Sequence, residues 1–132
     1  MDTGFMGITL NLQKKYNKVN ELQDVTKQMA DTLQRNDLYS FRLLLKMRTE
    51  VMFEIENLNY AQEEMLKDLP EREQTLARGA LSMEAEEKQL NSSDLQRMND
   101  IYQKIKRSLQ NTIHYDKAIN LKVAGNNSFY KN

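Results

Sequence analysis

The sequence predicts an all-α fold, an elongated antiparallel bundle of three to four helices with coiled-coil-like packing. Three observations carry this. Apolar residues recur at steps of three and four over long stretches, which is one face of a helix. The 132 residues include one proline and four glycines, too few to punctuate a sheet protein. Charged residues make up 29% of the chain and the mean hydropathy is -0.77, as suits a long bundle with a thin core. The length fits a single domain spanning residues 1–132.

Residues 1–7 read as a loose start. From there Ile8, Leu12, Tyr16, Val19, Leu22, Met29 and Leu33 mark the first helix, over about residues 8–35. Their spacing is close to a heptad. Val25 and Thr26 share the place between Leu22 and Met29.

The polar break Arg35-Asn36-Asp37 ends this helix. Asp37 is placed to cap the next one, because its carboxylate can accept from the free amides of a first turn. The second helix is predicted over about 38–66. Its stripe runs through Leu38, Phe41, Leu44/Leu45, Arg48, Val51/Met52, Ile55, Leu58 and Met65. Arg48 interrupts an otherwise apolar face. It reads either as a snorkelling side chain at the bundle edge or as a buried arginine paired with an acid on the first or third helix.

Leu69-Pro70-Glu71 marks the next boundary, since proline suits a first helical turn and not an interior. The third helix, about 70–90, is thin: Leu76, Ala80, Met83 and Leu90, with Gly79 in its middle, where glycine costs about 1 kcal/mol relative to alanine. Asn91-Ser92-Ser93-Asp94 restarts the pattern, and Ser93 with Gln96 fits a capping box. The fourth helix, about 94–121, carries Leu95, Met98, Ile101, Ile105, Leu109, Ile113, Asp116 and Ile119. Gly125 reads as its stop, leaving residues 122–132 as a tail. The alternation predicted is up and down with short turns.

The composition excludes several kinds of chemistry. Without cysteine there are no disulfides and no thiolate sites. The 19 basic and 19 acidic residues cancel, so no overall field would attract nucleic acid or an anionic membrane. The charge is uneven: residues 63–90 hold eight acids and four bases, residues 91–132 three acids and seven bases. Lys104, Lys106 and Arg107 are too interleaved with the core stripe to make a nucleic-acid site. No stretch approaches the roughly 20 apolar residues of a membrane span, and the N-terminus lacks signal-peptide character. No membrane insertion, no cofactor, no metal and a cytoplasmic location are the resulting expectations.

Catalytic residues are not apparent. His114 is the only histidine and has no glutamate or nucleophile at a useful spacing, so a surface position is expected. Glu84, Glu86 and Glu87 are too close in sequence to converge on one ion from a helix and read as a solvated face. The chain has eight methionines. They read chiefly as core filling, with an adaptable partner surface as the alternative.

The stretch from Leu33 to Ile55 resembles the first hairpin of flagellar export chaperones of the FlgN and FliT type. Members show a long first helix, a short break with an Asn/Gly-Asp pair, then an arginine about one and a half heptads into the second helix. Asn36-Asp37 and Arg48 match this in type and order. The segment Ile119 to Gly125, leading into Ser128-Phe129-Tyr130, is similar to the C-terminal segment of clostridial-type members. The resemblance implies a small non-enzymatic chaperone. Such a protein would bind the C-terminal helix of a hook-associated or filament-cap protein before secretion, and would dock on the export gate. By the same analogy Ile101, Ile105, Leu109, Ile113 and Ile119 on a detachable fourth helix would either close the bundle or yield to a substrate, and Phe129 and Tyr130 would meet the export gate. Monomer and homodimer both fit. The competing expectation is a structural coiled-coil protein that self-associates.

Overall fold

A computed structural model describes the backbone of residues 3–131 and the side chains of residues 4–125. The fold is all-α, with four helices: α1 (Thr3–Gln34), α2 (Leu38–Lys67), α3 (Glu71–Ala80) and α4 (Ser93–Lys131). A single 3-10 turn, Glu87–Gln89, lies between α3 and α4.

α1 is the central element. It packs along both α2 and α4, and no comparable packing joins α2 to α4. Serving two neighbours requires two apolar faces. Accordingly Ile8, Leu12, Val19, Leu22, Val25, Met29 and Leu33 are all buried. The helix begins before the predicted loose start ends, because Phe5 is buried in the core with Ile8 and anchors the first turn.

Two clusters make up the core. At the base of the bundle Phe5, Ile8 and Leu12 of α1 meet Leu66 of α2, Ala77 and Ala80 of α3, and Leu95 and Met98 of α4. At the tip Val25, Met29 and Leu33 meet Leu44 and Ile119. These pairings give the directions. α1 rises from base to tip, α2 descends, α3 starts up again, and α4 rises beside α1 in parallel. Ser108 of α4 donates to Asn20 Oδ1 of α1 at 2.8 Å, which fixes that register. On the other face of α1, Asn11 Nδ2 donates to the Leu58 carbonyl of α2 at 2.9 Å.

The α1–α2 turn is compact for a clear reason. Asn36 takes the left-handed conformation (φ 59°). The Asp37 N–H then reaches the Thr32 carbonyl at 2.8 Å and the Asn36 N–H reaches the Leu33 carbonyl at 3.0 Å. This is the paired closure that satisfies the last carbonyls of a helix. Asp37 next caps α2 as expected, accepting from the Ser40 N–H at 3.1 Å.

The third helix is half the predicted length, and Gly79 is its penultimate residue instead of a mid-helix kink. A helix over 70–90 would be about 30 Å long. That would leave the chain far from the base, where Leu95 and Met98 pack. Instead the chain turns at Leu81 and returns as an irregular segment. Leu81 and Leu90 pack against the base core from either end of that segment. Asn99 Nδ2 of α4 donates to the carbonyls of Ala80 (2.8 Å) and Ser82 (2.9 Å), satisfying groups that a helix end leaves open.

Two caps differ from expectation. Ser92, not Ser93, caps α4, with Oγ accepting from the Leu95 N–H at 3.2 Å. The Gln96 side chain donates to the Leu90 carbonyl instead of completing a box. The predicted stop at Gly125 is also absent: α4 continues through it to Lys131. Gly125 has no positive φ, so it does not adopt the conformation that would end a helix.

Asn36→Gly is expected to change stability by no more than a few tenths of a kcal/mol. Asn36→Val should cost about 1–2 kcal/mol, because a branched L-residue resists the left-handed region. Urea unfolding of the two variants beside the wild type measures the difference.

Candidate functional site

The second helix buries its apolar stripe, with Leu38 the exception, and takes one member of each alternative, Leu44 and Val51, into the core. Leu44 and Val51 are buried, and Phe41, Ile55, Leu58 and Met65 are partly buried. Leu38, Leu45 and Met52, one step to the side, are about half exposed. The reason is geometric. α2 carries the triplets Leu43-Leu44-Leu45 and Val51-Met52-Phe53. Three consecutive residues span about 200° of a helix, and only one member of each triplet, Leu44 and Val51, is buried. Leu43 and Phe53 are exposed as well.

Of these exposed residues, Met52 and Phe53 face a groove of about 760 Å³ between α2 and α4, whereas Leu43 lines a separate pocket beside Gln28 and Asp31 of α1. Met52, Phe53 and Ile55 line it from α2, Leu109 and Lys106 from α4, and Leu22 and Lys15 form its floor on α1. Thr49, Glu56 and Asn59 complete the α2 wall.

Both ends of the groove are defined. At one end Arg48 Nη2 donates to Asp116 Oδ2 at 2.7 Å, tying α2 to α4. The two side chains are 18% and 29% exposed. This corrects the alternatives for Arg48: it is partnered, but by α4 and not by the first or third helix. Its Nε is buried with no acceptor in the protein. At the other end α3 packs against α2 and α4, and Arg78 of α3 forms a two-pronged ion pair with Glu63 of α2, at 2.7 and 3.2 Å. α3 therefore fills the fourth position of the bundle at the base only. Beyond Ala80 that position is open as far as the Arg48–Asp116 tie. From Asn59 to Arg48 the open length is about 17 Å, or three helical turns.

The lysines in the groove carry opposing demands. Burial, and secondarily the nearby Lys106, push the Lys15 ammonium below its ordinary value of 10.5. Lys106 lies over the Tyr102 ring, 5.4 Å from its centroid.

The candidate contact residues divide by position. Ile101 (5% exposed), Ile105 (1%) and Ile119 (6%) point into the core. They close the bundle while α4 stays docked. Leu109 lines the groove. Ile113, 52% exposed, is one turn further along α4. The side chains of Phe129 and Tyr130 lie outside the described residues. The methionines split: Met29 and Met98 are core, whereas Met47, Met52 and Met83 are half exposed. Met52 and Lys15 were not legible as groove residues from periodicity, although the apolar triplets on α2 were the available signal.

Among the described residues no group of acids and histidines is arranged to hold a metal ion, and no helix is long and apolar enough to cross a membrane. His114 is exposed, with its ring edge-on to Tyr115. Comparison with protein-family models, curated proteins and solved structures returns no match.

Two outcomes are expected. A double-mutant cycle of Arg48→Met and Asp116→Asn, followed by urea unfolding, should give a coupling of about 1–2 kcal/mol, between the values of exposed and fully buried pairs. Lys15→Met should stabilise the fold at pH 7. Because the Lys15 pKa is lowered in the folded state, the folded protein releases this proton first as pH rises. The wild type therefore gains stability as pH climbs through that lowered pKa toward 10.5, and the advantage of the variant shrinks there.

Proposed function

We propose that this protein is a helix-holding chaperone whose α2–α4 groove receives an amphipathic helix from a partner protein. The observation that supports the reading is the vacant fourth position above α3. A bundle with three helices and an apolar, three-turn groove is completed by one further helix. Burial of its apolar stripe supplies the driving force at roughly 25 cal/mol per Å². Grooves that take amphipathic helices use this arrangement, with anchors at steps of three, four and seven residues. Half-exposed Met52, with its flexible thioether, suits a surface that must fit an unpaired segment.

The resemblance of the first hairpin to flagellar export chaperones gives the partner proposed here: the C-terminal helical segment of a hook-associated or filament-cap protein, kept soluble in the cytosol until export. In this reading α4 stays in place. Releasing it would expose Leu95, Met98, Ile101 and Ile105, and the groove is open without that cost.

A second reading has its own support. The exposed edge of α2 repeats at seven residues, Leu38, Leu45 and Met52, and a seven-residue apolar repeat is also how coiled coils self-associate.

The test uses the chain as bait in lysate of a flagellated, clostridial-type bacterium, alongside Met52→Glu and Leu109→Glu variants. The chaperone reading expects recovery of a hook-associated or cap protein. That recovery should be lost when the partner lacks its C-terminal helix and reduced at least tenfold by either variant. Recovery of the chain alone, with sedimentation showing a concentration-dependent elongated oligomer, would replace it with the self-associating coiled coil.

A further inference from the structure

Lys15 and Lys106 project from different helices into the same groove. Neither forms an ion pair with any described residue, whereas Lys18 pairs with Glu54, Arg48 with Asp116 and Arg78 with Glu63 across helix boundaries. Two cations without an ion pair thus stand in the part of the bundle that is incomplete. Two ammonium groups beside Leu22, Met52 and Leu109 repel one another and are costly to desolvate. Other charges facing the groove do not neutralise them. Glu56 on the α2 wall makes no ion pair, Asp116 is committed to Arg48, and the α3 end offers only the Arg78–Glu63 pair. An apolar occupant alone would cover both lysines and leave the repulsion in place. An occupant bearing a carboxylate at this level would relieve it.

We propose that the groove selects an amphipathic helix carrying an aspartate or glutamate at the edge of its apolar stripe, received between Lys15 and Lys106. This rests on the helix-binding reading and adds a rule of specificity to it. The carboxylate sets the register of the helix along the groove, because the two lysines mark one level between the Arg48–Asp116 tie and α3. A hydrogen-bonded charge pair in a half-buried site is short-ranged and directional, which an apolar stripe is not.

The experiment uses two designed helical peptides of 15 residues, identical in their leucine stripe, one with glutamate and one with glutamine at the central flanking position. Each carries a fluorophore, and anisotropy titration gives Kd. The glutamate peptide should bind the wild type about tenfold more tightly, a difference of about 1.4 kcal/mol, and the ratio should fall as salt rises. In the Lys15→Met/Lys106→Met double variant the ratio should drop to about one. Lys14→Met, in a separate pocket between α1 and α2, should keep the wild-type ratio. Equal binding of both peptides by the wild type overturns the carboxylate rule and leaves the groove reading standing. A ratio that survives in the double variant also overturns it. If neither peptide binds, the groove reading fails and the rule falls with it.

Discussion

Everything in this fold depends on α1 being apolar on two faces at once. A helix in an ordinary surface position buries one stripe. Here α1 must satisfy α2 on one side and α4 on the other, and the two outer helices do not compensate by packing on each other. The buried residues of α1 therefore run almost its full length, from Phe5 to Leu33. The price is a shortage of cover elsewhere: with α1 occupied on both flanks, the remaining edge of α2 has nothing to pack against.

α3 gives partial cover. Its ten residues close the base, where Ala77 and Ala80 are fully buried against α4 and α1. Small residues there let the helix sit close, and the Asn99 side chain ties its end to α4. The irregular return from Leu81 to Leu90 then brings the chain back to start α4 at the base. This one decision, a short helix followed by a return, makes α4 parallel to α1 and leaves the upper half of the bundle with three helices. The helix-binding proposal and the carboxylate rule both rest on that vacancy.

The legible part of the sequence was the part governed by local rules. The α1 stripe, the Asn36-Asp37 turn and the Pro70 boundary follow from periodicity and backbone preference, which act over a few residues. The length of α3 did not, because the helix stops where Asn99 and the partly buried Leu81 and Leu90 hold it, and those contacts join residues far apart in sequence. Which member of Leu44/Leu45 and Val51/Met52 is buried on α2 was not legible for a related reason. Periodicity says that Leu38, Leu45 and Met52 share a face, but not whether a neighbour covers it. The same limit applies to Ile101, Ile105 and Ile119: their spacing marks an apolar face of α4 without saying that α1 already occupies it. Arg48 was legible as an anomaly, while its partner on α4 needed the topology.

Polar side chains are buried among the apolar ones of the upper bundle: Thr26, Ser108 and Thr112 are buried, and the Arg48–Asp116 pair joins α2 to α4 one turn from Leu44 and Ile119 of the tip cluster. The tip cluster holds five buried residues against eleven at the base, so its backbone amides have less packing to lose when they open. Stability in native proteins is distributed in such blocks, and the smaller block opens more often. By that measure the hairpin end is the block expected to open first, and the Arg48–Asp116 tie at the groove's upper boundary is anchored on it.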